Sequence, residues 1–499
     1  MGHCLEGAGL SPSRRQAAKF GLTPRAKRIG TSWRLGVLVF DGLALTGCAV
    51  GPTYHAPPTP PTASAGFISG GPASAAAQPL PPSWWRLYQD PILDRLVGEA
   101  LTANTDLRVA AANLAYAQGL LDEARAGRFP TTAVTAGGTE GRSSPQALQA
   151  RPAGFAYSAG FTAAYQVDLF GRVRRTVEAA RADADGAAAT ADAVRVTVAA
   201  RTAGAYADAC GYGEQLAVAR HSLDLTQNSF DHSMIRRNAG ALSDFDIDRD
   251  HVTLEQAKAA IPPLEGAHRA ALLSLAALTG GTPAEIPADA AACASPPRLT
   301  QALPVGGGAS LLRRRPDIRA AERALAAATV RIGVATADFY PTITLGGGVS
   351  NAAAQIAGLG NASTGSFNIG PLLTWSFPNI LVARAHVKQA GAQTAAALAR
   401  FDGVVLQALR ETETALTTYD AELRHHAALT AARVSADEAQ RLALIQFKAG
   451  TASILDLLTA QTAAVAADQA VAASDQAIAD DQVAVFEALG GGWEREPIH

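Results

Sequence analysis

The sequence has little of what a thick globular core or an active site needs. Only 2 of its 499 residues are Met and only 6% are aromatic, so large interlocking side chains are scarce. Lys and Arg number 42 against 44 Asp and Glu, a formal net charge of -2. That balance excludes the basic surface of a nucleic-acid binder. No run of 18 or more apolar residues occurs, so no transmembrane helix is expected. There is no His-Glu-x-x-His, no nucleophile elbow, no P-loop and no dinucleotide glycine fingerprint. His221 and His232 stand alone, and the pair His425-His426 reads as solvated on a polar helix. The chain is therefore not expected to be an enzyme, and no cofactor or metal site is expected.

What is abundant is alanine, in long runs from Ala100 onward. Alanine is the strongest helix former and lets helices approach closely. Thin, tightly packed helices follow. The N-terminus is different. Residues 1–47 read as a leader, with a basic region from Arg14 to Arg34 and then an apolar stretch, Leu35 to Leu45, interrupted by Asp41. It ends in Leu45-Thr46-Gly47-Cys48, which resembles a bacterial lipobox with Cys48 as the lipidated mature N-terminus. The alternative is an ordinary buried cysteine. A Pro-rich tether completes residues 48–83 and is expected to span loosely from a membrane to the fold. Beyond Cys48 only Cys210 and Cys293 remain. Two readings stand for them, a disulfide in an oxidising compartment or two buried free thiols.

Two segments alternate with period two. From Phe155 the odd positions are Phe155, Tyr157, Phe161, Tyr165, Val167 and Leu169, and the even positions are small or polar. Phe367, Ile369, Leu373, Trp375 and Phe377 repeat the pattern. Weaker strands are expected at Thr131–Thr139 and Pro341–Ser350. Strands of about ten residues with an aromatic-rich face suit a membrane barrel. A soluble sheet with one buried face is the alternative, but the second face carries small residues rather than charges. Four strands cannot close a barrel, and open edges in lipid are very costly. If the strands span a membrane, several chains must share one barrel. Two chains would give eight strands and three would give twelve.

The rest reads as helix. Residues 173, 177, 180, 184, 187, 191, 194 and 198 are Val or Ala in a strict 4-3 repeat, a coiled-coil seam. The spacing predicts one helix from about Arg172 to about Asn238, roughly 100 Å long. Residues 380–448 predict a second of similar length. The two halves are an internal repeat. Asn104-Thr-Asp-Leu-Arg108 through Pro130 aligns without gaps on Arg315-Pro-Asp-Ile-Arg319 through Pro341. Ala239-Gly240-Ala241-Leu242-Ser243 aligns on Ala449-Gly450-Thr451-Ala452-Ser453. Each Gly is expected to stop a long helix, and Asp246 and Asp456 to sit in the first turn of the helix that returns.

That order resembles the TolC-like outer-membrane factors, in particular their NodT-type lipoprotein branch. The residues that carry the likeness are Leu45-Thr-Gly-Cys48, Gly51-Pro-Thr-Tyr54, Trp84-Trp85, Val167-Asp-Leu-Phe-Gly-Arg172, Ile261-Pro-Pro-Leu-Glu265, Leu311-Leu-Arg-Arg-Arg-Pro-Asp-Ile-Arg319, Phe447-Lys-Ala-Gly450 and Leu455-Asp-Leu-Leu458. The resemblance implies a mainly α chain with a four-stranded transmembrane β segment. It also implies a homotrimer, with a twelve-stranded β-barrel continued by a twelve-helix periplasmic α-barrel. Residues 84–281 and 311–492 would be the two repeats, 282–310 an equatorial linker and 493–499 a C-terminal tail. The lipid-anchored trimer would sit in the outer membrane and dock onto a periplasmic adaptor protein and an inner-membrane pump of resistance-nodulation-division type. It would then be the exit duct for small molecules.

By the same resemblance, Ala239, Gly240, Ala241, Ala449, Gly450 and Thr451 are the tips that an adaptor contacts. Asp246 and Asp456 lie near the closed aperture, where a carboxylate ring would attract cations. Without the family they are plain helix-start carboxylates. The family's gate also uses ion pairs and hydrogen bonds between tips, and the matching Phe447 and Ala452 can form neither. With Cys293 in the equatorial linker and Cys210 halfway along the first long helix, the resemblance makes their pairing plausible. Two other functions remain open: an exit duct for type I protein secretion, and an envelope-bridging coiled-coil lipoprotein without a pore.

Overall fold

The computed structural model describes residues 49–58, 62, 65–69, 74–75, 80–142, 154–299, 301–375 and 380–493. The leader, Cys48 and the final residues 494–499 lie outside the described residues. In chain order the elements are β1 (Ser74–Ala75), α1 (Pro91–Ala103), α2 (Thr105–Ala126), β2 (Thr131–Gly141), β3 (Gly154–Val167), α3 (Arg172–Asn238) and α4 (Asp244–Leu278). Then come α5 (Ala288–Ala291), β4 (Leu303–Pro304), α6 (Gly308–Arg314), α7 (Pro316–Thr336), β5 (Thr342–Ala353), β6 (Gly365–Thr374), α8 (Ile380–Lys448) and α9 (Ile454–Ala488). Both very long helices are present at the expected bounds. No described helix is long and apolar enough to cross a membrane.

The sheet runs in the order β2-β3-β5-β6, every pair antiparallel. Residues directly opposite each other share a face. Val134 faces Phe161, Phe161 faces Val349, and Val349 faces Phe367. The opposite face carries Thr135, Gly160, Ser350 and Ser366 in register. The apolar row is turned to solvent in the single chain, with Val134 80% and Phe367 83% exposed. The β3–β5 pairing joins the two repeats. The outer edges of β2 and β6 have no strand partner among the described residues.

The helix α3 buries more than the one seam the sequence suggests. Val177 and Ala184 of that seam pack with Leu121 of α2. A second stripe, Arg175, Ala182, Ala189, Val196 and Ala203, is buried at seven-residue spacing. Its Ala182 meets Ala326 and Ala327 of α7. Two seams arise because α3 has a neighbour on each side, and alanine in both lets α2 and α7 come close.

The main core lies at mid-length. Trp84, Tyr88, Leu93 and Leu96 pack against Ala199–Cys210 of α3, Leu275 of α4 and Phe486 of α9. Trp84 stacks on Phe486 with ring centroids 4.5 Å apart. The segment 282–310 joins this core through Ala290, Leu303 and Val305.

The Pro-rich tether is not loose. Arg175 donates to the carbonyls of Val50 and Gly51, both at 3.3 Å. Gly51 passes so close to Gly333 that a Cβ on either would overlap backbone. Lower down, Glu413 accepts from the amides of Ile68 (2.8 Å) and Ser69 (2.9 Å). Residues Ser74 and Ala75 pair in parallel with Leu303 and Pro304. Proline disfavours helix and long strands within the tether, so its described backbone groups bond to the segments it crosses, α3, α8 and β4.

Candidate functional site

The two helical tips share one geometry. At the end of α3, Gly240 has φ 75°, and at the end of α8, Gly450 has φ 73°. The amides of Gly240 and Ala241 donate to the carbonyls of Arg237 (2.8 Å) and Arg236 (2.9 Å). Those of Gly450 and Thr451 donate to Phe447 (3.0 Å) and Gln446 (2.9 Å). This is the Schellman closure that left-handed glycine allows. A Cβ at either glycine would meet nothing within 4 Å, so backbone conformation and not space requires glycine there. Ala239, Gly240, Ala241, Ala449, Gly450 and Thr451 are all exposed.

Asp246 and Asp456 sit in the first turns of α4 and α9, each in a capping box. Asp246 accepts from the amide (3.1 Å) and hydroxyl (2.7 Å) of Ser243. Asp456 accepts from the amide (2.9 Å) and hydroxyl (2.6 Å) of Ser453. The serine hydroxyl and amide hold each carboxyl below its ordinary pKa, so both are ionised at neutral pH. They differ in their surroundings. Arg249 lies 3.7 Å from Asp246, whereas no basic group pairs with Asp456 among the described residues. The Ser-x-x-Asp spacing was visible in the sequence as a capping box, a signal that the reading of the aspartates alone passes over.

At mid-length the repeat places Asn104 and Arg315 at equivalent joints. In each half the returning helix ends where a shorter helix begins. Asn104 caps α2 through the amides of Asp106 (2.8 Å) and Leu107 (3.4 Å), and donates to the carbonyl of Leu278 at the end of α4 (3.0 Å). Arg315 donates to the carbonyl of Ala488 at the end of α9 (2.9 Å) and to Asp317 in the first turn of α7 (2.7 Å). It also reaches Glu411 of α8 (2.8 Å). The gapless repeat aligns these two residues, yet side chains so unlike hide their common duty.

Beside these joints Cys210 and Cys293 come together, Cα atoms 4.8 Å apart and sulfurs bonded. The carbonyl of Cys293 lies where a side chain on Gly213 would go, so the linker lies flat on α3. Arg298 of the same segment pairs with the buried Asp475 of α9. Asp475 is also 2.8 Å from His426. The sequence reading of His426 as solvated is thus corrected: only 23% of its side chain is exposed, because α9 covers that face of α8. His425 does point outward, beside Glu422.

The comparisons with known proteins agree along the length of the chain. The family model "Outer membrane efflux protein" matches residues 96–281 and 308–491, one stretch for each repeat. Outer membrane protein OprJ of Pseudomonas aeruginosa is 31% identical over 462 residues, covering 91% of this chain and 94% of OprJ. Nodulation protein T of Rhizobium leguminosarum bv. trifolii is 30% identical, covering 85% of this chain and 90% of that protein. The solved outer-membrane channel OprN superposes with a TM-score of 0.83 at 32% identity, over 89% of this chain and all of OprN. Two long hairpins with matching glycine tips, a sheet shared between the repeats, and likeness across both halves admit one assignment: the chain belongs to the outer membrane efflux protein family.

Proposed function

We propose that three copies of this chain close their four-stranded sheets into one twelve-stranded barrel in the outer membrane. The α-helices continue it as a periplasmic tube. The carrying observation is the sheet itself, whose apolar face is turned outward and whose two edges lack partners among the described residues. Both features are costly in a lone chain and are resolved together by closure in lipid. The duct receives small molecules from a periplasmic adaptor and an inner-membrane pump of the resistance-nodulation-division type. Cys48 carries the lipid anchor, and residues 49–58 along the top of the tube hold that anchor in place. The adaptor contacts Ala239, Gly240, Ala241, Ala449, Gly450 and Thr451. Asp456, ionised and without a basic partner among the described residues, supplies the stronger part of a three-fold acidic aperture, and Asp246, beside Arg249, the weaker part. Cys210 and Cys293 pin the equatorial linker to the tube.

Single-channel conductance in planar bilayers, with native mass measured alongside, tests the reading. A trimer with steady openings is expected, less cation-selective after Asp456→Ala than after Asp246→Ala. A soluble monomer without conductance would overturn it.

A further inference from the structure

The tether and the sheet meet at one seam. Strand β3 leads into α3, and α7 leads into β5, so the β3–β5 pair continues the α3–α7 pair. The first described residues lie where the two pairs join. The amide of Val50 donates to the carbonyl of Phe170 at 3.3 Å. A Cβ on Gly171 would fall 2.7 Å from the Cα of Ala49, and one on Gly333 would fall 2.9 Å from the carbonyl oxygen of Val50. Neither glycine can carry a side chain while the tether passes there. Further along, Tyr54 donates to Glu322 of α7 at 3.1 Å. On the side of the sheet, the ring of Phe170 stacks on that of Tyr340, centroids 4.5 Å apart. These two rings make an aromatic ledge at the foot of the β3–β5 pair. The residue before Ala49 is Cys48, one peptide bond from backbone that α3 and α7 hold.

Above the ledge the apolar face of the β3–β5 pair is hollow. Ala163 stands opposite Gly347, and Gly347 opposite Ile369 of β6. The pair Phe161–Val349 closes the hollow above and the pair Tyr165–Leu345 closes it below, all on the same face. A Cβ on Gly347 would lie 3.4 Å from the Cγ1 of Ile369, so glycine keeps the hollow deep. Its volume is about 460 Å³. It is four residues tall, about 13 Å, and the hydrocarbon of one leaflet is about 15 Å thick. It lies on the central strands of the sheet rather than at either outer edge, so closure into a barrel leaves it open to lipid.

We propose that this hollow seats an acyl chain of the lipid on Cys48, so that the anchor docks on the barrel of its own chain. The inference rests on the lipoprotein reading of Cys48 and on the membrane reading of the sheet. Reach decides the occupant. Tyr165, at the lower lip, precedes Phe170 by five residues, at most about 18 Å of chain, and Phe170 is the residue that holds Val50. In lipid the hollow offers an acyl chain no hydrophobic gain over the bulk membrane, so packing and tethering choose what fills it. A diffusing phospholipid has to be captured and ordered. A chain attached to Cys48 starts at the lip, at high effective concentration.

The test uses the full chain in its native membrane, with the photoreactive p-benzoylphenylalanine placed either at Ile369 or at Ala136. Ala136 lies on the same apolar face, on β2 and outside the hollow. After irradiation and digestion, mass spectrometry reads which lipid or peptide each position has captured. Position 369 is expected to capture the lipid-bearing N-terminal peptide about tenfold more often than position 136. Ala163→Leu, which fills the hollow, should abolish that excess. Ala159→Leu, one pair higher on the same face, should keep it. Equal capture at positions 369 and 136, with membrane phospholipid on both, would overturn the seat. An excess that survives Ala163→Leu in an assembled protein would overturn it too; should Ala163→Leu not assemble, the smaller filling Gly347→Ala takes its place and is expected to lower the excess. An N-terminal peptide whose mass carries no lipid would refute the lipoprotein reading itself, a result distinct from a lipidated peptide that is not captured.

Discussion

Truncating Arg315 separates the two helix joints most sharply. The residue is 9% exposed and serves three helices at once. Burial works against its charge, and Asp317 and Glu411 outweigh that, so its pKa is raised. Arg315→Ala removes the fork that holds Asp317 and Glu411 and the donor to Ala488. Breaking a fully buried pair costs about 3–5 kcal/mol. Here Asp317 and Glu411 keep 39% and 36% of their side chains exposed, so water recovers part, and about 2–3 kcal/mol is expected. The carbonyl of Ala488 retains Thr412 at 3.3 Å. Asn104→Ala loses an N-cap and one bond to Leu278, about 1–2 kcal/mol. Thermal melting of the detergent-solubilised protein, at fixed protein and detergent concentration, should show the larger loss for Arg315→Ala. Arg315→Lys should restore less than half of it, because an ammonium cannot fork onto two carboxylates. Equal losses for Arg315→Ala and Asn104→Ala, or full rescue by lysine, would refute the claim that Arg315 bolts three helices.

Three further outcomes are expected. Burial, with Asp208 and Asp481 nearby, pushes the carboxyl of Asp480 up to about 7. The folded state thus holds its proton more tightly, and this contribution to stability is complete below about pH 4 and lost as pH rises through about 7. Asp480→Asn should therefore stabilise at pH 8, by at most about 4 kcal/mol, and leave melting at pH 4 unchanged; parallel melting curves at the two pH values would contradict this. Cys210→Ser opens a link between residues 83 apart in sequence, with an expected loss of about 3 kcal/mol. Thiol titration of the unaltered, denatured chain should find neither Cys210 nor Cys293 free. Gly240→Ala is expected to cost about 1 kcal/mol, from the left-handed backbone alone. Faster hydrogen exchange at Ala239–Ser243 would register that cost, with Gly240→Asn less affected, and unchanged exchange would count against the Schellman closure.

The long helices, the four strands and the repeat were legible because each follows a period that the chain keeps for many residues. α3 begins at Arg172 and ends at Asn238, where Gly171 and the Ala239-Gly240 pair mark the limits. The second seam of α3 was not legible, since a stripe of Arg175, Ala182 and Ala189 becomes a seam only when α7 lies against it. The tether misled for a related reason. Its composition says only that it builds nothing alone, and says nothing of Arg175 and Glu413, which bind its backbone from helices far away in sequence. His426 was read from its own polar neighbours, while the carboxylate beside it, Asp475, comes from another helix.

Duplication explains both what could be read and what could not. The repeat preserves backbone duties: Gly240 and Gly450 close helices in the same way, and Ser243–Asp246 and Ser453–Asp456 open them in the same way. Side chains at matched positions have diverged. Asn104 stands at one joint where Arg315 stands at the other, and the first tip carries Arg236-Arg237 where the second carries Gln446-Phe447. In the first hairpin Arg237 pairs with Asp244 of its own turn, and Arg236 lies over the ring of Phe447 in the second. In the proposed trimer, two unlike hairpins per chain would give a ring with three-fold rather than six-fold chemistry. In the proposed duct Asp456, ionised and without a basic partner among the described residues, would be the carboxylate at the tip that the chain itself does not neutralise.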